Sequence, residues 1–178
     1  MHLIRHGQSH FNAAFGKTRI DPGIVDPSLT AEGERQIREA AATLAKRDIR
    51  RIITSPYRRT LESTAILAEI LGLPVSVEPL VRERSYFMCD IGTPCSELTR
   101  HWPMHDFSQL PEVWWDDPEE SEAALQTRCA CFHATMASVR DWRQVLVVSH
   151  YAFIEGLTGQ AVPNAAIVPH DPTCARQR

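Results

Sequence analysis

The sequence predicts an α/β fold, a three-layer αβα sandwich around a mostly parallel central sheet. Three observations carry this expectation. Short apolar runs of strand length alternate with longer segments of helical period, the pattern of βα units. Val145-Leu146-Val147-Val148 is a continuous, largely β-branched apolar run, as in a strand buried on both faces of a parallel sheet. The chain has 178 residues, enough for one domain with a sizeable core, and residues 1–178 are read as a single domain.

The elements follow in order. His2-Leu3-Ile4 reads as a first strand, followed by a polar loop. Over 31–47, Gly33, Ile37, Ala41 and Leu44 recur at helix spacing, with Thr30 as N-cap. Arg51-Ile52-Ile53-Thr54 is a short strand. Residues 57–71 are helical, with Leu61, Ala65, Ala68 and Leu71 on one face and Gly72 as the C-terminal stop. Val75-Ser76-Val77 is a third strand. Residues from about 85 to 118 hold Phe87, Trp102, Phe107, Trp114 and Trp115 among prolines without a clean period, and read as an irregular cap insertion. Over 119–140, Leu125, Cys129, Phe132, Met136 and Val139 mark an apolar helix face. Ala165-Ala166-Ile167-Val168 is a candidate last strand.

Composition removes several classes. The charged fraction is 23% and the hydrophobic fraction 43%, ordinary for a folded globular chain and unlike a disordered or disulfide-dense one. Lysine and arginine number 19 against 22 acids, a net charge of −3, so nucleic acid is not an expected partner. Met1-His2-Leu3-Ile4 reaches Arg5 and His6 after two apolar residues, which leaves no signal-peptide core. No apolar run approaches the ~20 residues of a membrane span. Five cysteines without regular spacing point to reduced thiols and a cytoplasmic setting. His101, His105, His133 and His170 lack metal-ligand spacing. Cys129 and His133 could share a helix face, but Cys129 falls in an apolar stripe, so no metal and no cofactor is expected.

In a parallel sheet, ligands bind beyond the carboxyl ends of the strands. The residues there are Arg5-His6-Gly7, Ser55-Pro56-Tyr57-Arg58, Arg82-Glu83 and Ser149-His150. Arginines, an imidazole pair and a carboxyl suit phosphoryl transfer, which needs cations for three oxygens, a nucleophile and a proton donor.

These segments together resemble the histidine phosphatase superfamily, also called the phosphoglycerate mutase-like family. Leu3 to Asn12 resembles its opening R-H-G motif. Asp26-Pro27-Ser28-Leu29-Thr30-Ala31-Glu32-Gly33 is similar to its D-x-x-L-T-x-x-G segment. Ser55 to Ala65 resembles S-P-x-x-R-x-x-x-T-A, Leu80 to Arg84 resembles the acid segment, and Val147-Val148-Ser149-His150 resembles the closing histidine motif. The likeness runs from residue 3 to about 156. It implies a phosphoglycerate mutase-like fold and a phosphatase that hydrolyses a phosphate monoester. His6 would be the nucleophile, carrying a phosphohistidine. Arg5, Arg58 and His150 would clamp the phosphoryl group, and Glu83, with Glu78 as a rival, would donate the proton. Asn12, Ser149, Tyr151 and Arg84 would bind substrate. The partner is then a small phosphorylated substrate or phosphate ion.

Rival chemistries lack their spacings. No cysteine has an arginine six positions on, there is no P-loop, and Ser9 lacks a nucleophile elbow. Within the family the alternative is a mutase. Residues 82–120 carry three arginines against nine acids, which disfavours a bisphosphate, while Glu83-Arg84-Ser85-Tyr86 resembles the mutase form of the acid segment. A third alternative is a non-catalytic phospho-ligand binding module. Tyr151 stands where the family usually has glycine. Its ring either walls the substrate pocket or turns into the core beside Phe153 and Ile154. The cap aromatics suit a sugar, a base or a phosphorylated side chain equally.

Overall fold

The computed structural model describes residues 1–116 and 119–174. A five-stranded sheet has the order β3-β2-β4-β1-β5. Its strands are β1 (His2–Arg5), β2 (Arg51–Thr54), β3 (Val75–Val77), β4 (Val145–Ser149) and β5 (Ile167–Pro169). The first four pair in parallel and β5 runs antiparallel to β1. The mixed α/β class with a mostly parallel sheet therefore holds. β4 lies at the centre and is buried along its whole length, which is why it reads as an unbroken apolar run.

Successive strand residues point to opposite faces, and each face has its own core. On one, Leu3, Val145 and Val147 pack with Leu125, Cys129, Phe132, Phe153 and Leu157 from α5 (Glu122–Ala137) and α6 (Tyr151–Thr158). On the other, Ile4, Ile52, Leu146 and Val148 pack with Ile37, Ala41, Leu44, Ile66 and Leu67 from α2 (Ala31–Leu44) and α3 (Arg58–Leu71). Two helix layers enclosing one sheet make the expected sandwich. Cys129 is part of the core, as its place in the apolar stripe implies. A third cluster, Tyr57, Leu61, Leu98, Phe107, Leu110 and Trp114, seats the cap on the start of α3.

Caps and breakers act where the sequence places them. Thr30 accepts a hydrogen bond from the Gly33 N–H at the start of α2, and Gly72 closes α3 in the left-handed region at φ 64°. Four expectations need correction. The polar loop after β1 contains the helix α1 (His10–Thr18), started by a reciprocal pair in which the Asn12 N–H donates to Ser9 Oγ and the Ser9 N–H to Asn12 Oδ1. Phe11 is the one residue of α1 that is fully buried, so the helix has almost no apolar period. The helix expected over 119–140 is shorter, beginning after the Ser121 cap and ending at Ala137. The last strand starts at Ile167, because Ala165 has φ 58°, incompatible with a strand. The cap is less irregular than expected: it holds α4 (Cys95–His101) and a 3-10 turn at Met88–Asp90, while its expected end at residues 117 and 118 lies outside the described residues.

One backbone contact fixes the loop after β1 against α2. A Cβ on Gly7 would lie 2.4 Å from the Gly33 carbonyl oxygen, and a Cβ on Gly33 would lie 2.1 Å from the Gln8 carbonyl oxygen. The Gly7 N–H also donates to Ser63 Oγ of α3 at 3.2 Å. Gly33→Ala should therefore cost about 1–3 kcal/mol in urea denaturation, through forced displacement of this loop. Gly16→Ala, in α1 with nothing within 4 Å of the added carbon, should cost nothing and could gain up to ~1 kcal/mol of helix propensity. Equal effects of the two substitutions would refute the close-approach argument.

Candidate active site

The carboxyl ends of β1, β2 and β4 meet at one edge of the sheet, above a cavity of about 630 Å³. His6, Arg5, Arg59 and Glu83 line it, whereas His150, expected to clamp the phosphoryl group, is fully buried and does not line it. The His6 backbone N–H bonds the Ser149 carbonyl at 3.0 Å, continuing the β1–β4 ladder one residue past the strand. The two imidazoles consequently lie with ring centroids 5.2 Å apart.

Hydrogen bonds set their tautomers. His6 Nδ1 lies 2.7 Å from the Gly7 carbonyl, which can only accept, so Nδ1 carries the proton and Nε2 keeps its lone pair. Nδ1 of His150 accepts from Arg59 Nε at 3.3 Å, which assigns its proton to Nε2, 2.8 Å from Ser55 Oγ. Burial, then the Arg59 and Arg5 guanidiniums, holds the His6 pKa well below its usual 6.5. Burial, then Arg59, does the same for His150.

Arg59 is the pivot of the group. Its side chain is 3% exposed and donates from Nη1 to the Cys89 carbonyl at 2.7 Å and from Nη2 to Asp90 Oδ1 at 2.9 Å. The guanidinium also lies over the Tyr57 ring, 4.4 Å from its centroid. With Nε on His150, three of its five N–H groups are engaged and two remain. Arg5 donates to the Val162 carbonyl at 2.8 Å, and its buried Nε has no acceptor among the described residues.

Arg58, expected at the phosphoryl group, is not at the cavity. Its side chain is 53% exposed and paired with Glu62 at 2.7 Å, one turn along α3. Consecutive helix residues point about 100° apart, so two adjacent arginines cannot share a face. Counting S-P-x-x-R from Ser55 reaches Arg59, and that count was the available signal.

Glu83 lines the cavity, whereas Glu78 caps the 3-10 turn Pro79–Val81 by accepting from the Leu80 N–H at 2.9 Å. Glu83 Oε1 accepts from the Arg84 and Ala152 N–H groups, each at 3.0 Å, leaving Oε2 without a partner among the described residues. Burial first, then Asp90, raises its pKa, against the opposing pull of Arg59 and Arg5. Arg128, buried in α5, donates to the carbonyls of Leu80, Arg82 and Glu83 and pairs with Glu120, so it holds the segment that carries the acid.

Three other expected residues reach the cavity. Asn12, Arg84 and Tyr151 line it. The Tyr151 ring is 36% exposed and sits under the Arg5 guanidinium at 5.1 Å, not in the core beside Phe153 and Ile154. Ser149 does not reach it: fully buried, it donates to the Val81 carbonyl at 2.7 Å and ties β4 to the turn before Glu83. Asn164, Asp90 and Arg128 escaped the sequence reading: the first two sit outside any periodic run, and Arg128 is a charged residue on the buried face of α5, which an apolar period passes over. Asn164 donates to the His6 carbonyl and to Asn12 Oδ1, both at 3.1 Å.

The cap's acidity is not turned on the site. Of the acids between 82 and 120, Glu83 and Asp90 line the cavity, while Glu97, Asp116, Glu119 and Glu120 pair with Arg100, Arg82, Arg84 and Arg128. The charge argument against a bisphosphate substrate loses most of its force. Cys89 lines the cavity too, but burial pushes its thiol well up, so it stays protonated. Among the described residues, no cluster of three or more His, Cys, Asp or Glu is placed to hold a metal ion, and no helix is long and apolar enough to cross a membrane.

The family model described as "Histidine phosphatase superfamily (branch 1)" matches residues 1–173. The chain belongs to the histidine phosphatase superfamily. Relatives of this superfamily protein carry both phosphatase and mutase names. A "Probable phosphoglycerate mutase GpmB" of Serratia proteamaculans is 40% identical over 83 residues, which cover 47% of this chain and 37% of that protein. "Phosphoserine phosphatase 1" of Hydrogenobacter thermophilus is 30% identical over 156 residues, covering 83% of this chain and 69% of that one. The solved mycobacterial glucosyl-3-phosphoglycerate phosphatase superposes with a TM-score of 0.66 at 23% identity, covering 94% of this chain and 87% of that one. The histidine phosphatase fold is thus shared, and the chain spans well under half of the mutase's length.

Both rings should be neutral well below pH 6.5, in opposite tautomers. A folded-state histidine pKa below the unfolded one means the unfolded chain takes up the proton first. The stability these rings contribute is complete above 6.5 and is lost as pH falls towards their lowered values. Long-range ¹H–¹⁵N spectra at about pH 6 should show a protonated Nδ1 on His6 and a protonated Nε2 on His150. Half-protonation of either ring near 6.5 would contradict the assignment.

Proposed function

We propose that this protein is a phosphatase that hydrolyses a phosphate monoester through a phosphohistidine on His6. The observation that carries the reading is His6 itself. It is a buried, neutral imidazole with an unprotonated Nε2, beside two arginines that keep free N–H groups. In the first step the Nε2 lone pair forms a bond to phosphorus while the bond from phosphorus to the ester oxygen breaks. Glu83 gives its proton to the departing oxygen. In the second step water attacks phosphorus, the P–N bond breaks, and the Glu83 carboxylate takes the water proton. Phosphate leaves and both residues return to their starting states.

Arg5 and Arg59 supply N–H donors to the phosphoryl oxygens, with Arg59 in the role that the sequence placed on Arg58, while His150, whose one N–H meets Ser55 Oγ, positions Arg59 by accepting from its Nε. A buried Arg5 N–H without an acceptor is costly, and a phosphoryl oxygen satisfies it. The opposed shifts of the two groups fit the chemistry: the nucleophile is kept deprotonated and the acid protonated by one enclosed environment. A solved relative is described with VO3 and with inorganic phosphate, which accords with a small phosphorylated substrate.

A mutase is the second reading, favoured by the identity over 83 residues to proteins named as mutases. The two separate on product: inorganic phosphate for a phosphatase, transfer between hydroxyls of phosphoglycerate for a mutase.

The enzyme should trap phosphate in an acid-labile, base-stable form that His6→Ala abolishes. Arg59→Ala should lower kcat about 10²–10³-fold, whereas Arg58→Ala should stay within a few fold. Glu83→Gln should cost about 10²–10⁴-fold on an alkyl phosphate and far less on nitrophenyl phosphate, whose leaving group scarcely needs a proton. Label that survives His6→Ala, or Arg58 and Arg59 variants that behave alike, would refute the assignment.

A further inference from the structure

The cavity extends beyond what a phosphoryl group occupies, and its outer part is aromatic. Phe11 and Phe15, one turn apart on α1, stack with centroids 5.3 Å apart and ring planes 12° apart. Phe87 of the cap closes on both, at 5.5 Å and 5.2 Å, and Tyr86 meets Phe87 at 4.9 Å. All four rings line the same cavity as His6. Two separate segments build this wall, and the Met88 N–H holds them together by donating to Asp21 Oδ2 at 2.9 Å. Phe11 is buried beneath the wall, whereas Phe15 and Phe87 are half-buried and Tyr86 is 60% exposed, so these three present ring surface to the cavity.

Several polar side chains that line the cavity are engaged with one another, and Arg19 and Arg84 stand over the Phe15 and Tyr86 rings at 5.4 Å and 5.5 Å. Asn12 Oδ1 accepts from Ser9 and from Asn164, and Asn164 Nδ2 is shared between Asn12 and the His6 carbonyl. Arg84 is held by Glu119, Glu122 and the Glu120 carbonyl. A sugar or glycerate leaving group would set its hydroxyls against phenyl rings with few partners, an unfavourable exchange for water. A flat ring loses nothing there and gains stacking and apolar burial.

We infer that the leaving group of the substrate carries an aromatic ring, which packs on Phe15, Tyr86 and Phe87. The inference rests on the phosphatase reading for the position of the phosphate, and it selects among the sugar, base and side-chain substrates that the sequence left open.

Arylmethyl phosphates and glycerol or hexose phosphates all release alkoxide-type leaving groups, so their comparison isolates recognition from leaving-group chemistry. Benzyl and 2-naphthylmethyl phosphate should exceed glycerol 3-phosphate and glucose 6-phosphate in kcat/KM by about tenfold or more. Phe15→Ala and Phe87→Ala should each shrink that ratio several-fold. A binding arm needs no turnover: calorimetry should find benzylphosphonate bound about tenfold more tightly than methylphosphonate, a margin reduced in Phe87→Ala. Uridine 5′-monophosphate, which also releases an alkoxide-type leaving group, tests a nucleoside source of the ring, and its preference over glucose 6-phosphate supports the inference. Equal binding of the two phosphonates, or a wild-type preference for the polyol phosphates, would overturn it while leaving the phosphatase reading intact. Absent hydrolysis of every ester with the phosphonate preference retained would overturn the phosphatase reading instead.

Discussion

The buried pair of Arg59 and Asp90 is the interaction on which the site depends. Both side chains are 3% exposed, and their charged atoms are 2.9 Å apart. Removing two charges from water costs several kcal/mol per ion, and their attraction seldom returns a surplus, so net stability is a poor reason for such a pair. Geometry is the better one. Arg59 leaves α3, reaches the cap at Cys89 and Asp90, and turns its Nε to His150 at the end of β4. One guanidinium thereby fixes three separate pieces of chain relative to each other. Asp90 also accepts from the backbone of Tyr86 and Phe87, so the residue that holds the cation orders the aromatic segment beside it.

That cluster explains why the titratable groups shift as they do. Desolvation is the largest cause for His6, His150 and Glu83 alike. It disfavours whichever form is charged, so imidazoles move down and the carboxyl moves up. The specific charges then act unevenly. Arg59 reinforces the effect of burial on both histidines but opposes it on Glu83, where Asp90 adds to burial in the upward direction. Asp90 therefore serves two neighbours of opposite sign: it holds the cation in place and discourages Glu83 from ionising. Arginines alone would oppose the effect of burial on the carboxyl with no neighbouring charge to offset them.

Much of this architecture was legible from the chain, and the misses share a cause. β4 announces itself because both its faces are buried, and α2 and α3 because each buries one stripe against the sheet. α1 was invisible because one of its residues, Phe11, is fully buried, so no period forms and capping by Ser9 and Asn12 stands alone as a signal. His6 and His150 were legible as neighbours because β1 and β4 each deliver their next residue to one edge, and Glu83 reaches the cavity from the segment after β3 through the turn Pro79–Val81. Arg58 displaced Arg59 because adjacency in sequence says nothing about which helix face is covered. Ser149 is the same error on a strand: it adjoins His150 yet points to the opposite side, where it bonds the Val81 carbonyl. Asn164, Asp90 and Arg128 act through contacts made across long stretches of chain, and no local pattern encodes them.

The division between these groups has a physical logic. The His6 end of the cavity rests on strand termini and on backbone contacts that admit no side chain, as between Gly7 and Gly33. Such parts have little freedom to vary without losing the alignment of His6 with His150. The aromatic end rests on α1 and the cap, which lie outside the sheet and meet each other through ring contacts and one bond from the Met88 N–H to Asp21. Changes there alter the shape and polarity of the outer cavity without moving a strand. The outer cavity can then change without disturbing the group around His6, because the elements that carry the two are different. Tyr151 stands at the join: its backbone follows His150 at the start of α6, while its ring lies under Arg5 on the cavity wall. It is the point where the outer cavity and the group around Arg5 and His6 are mechanically coupled.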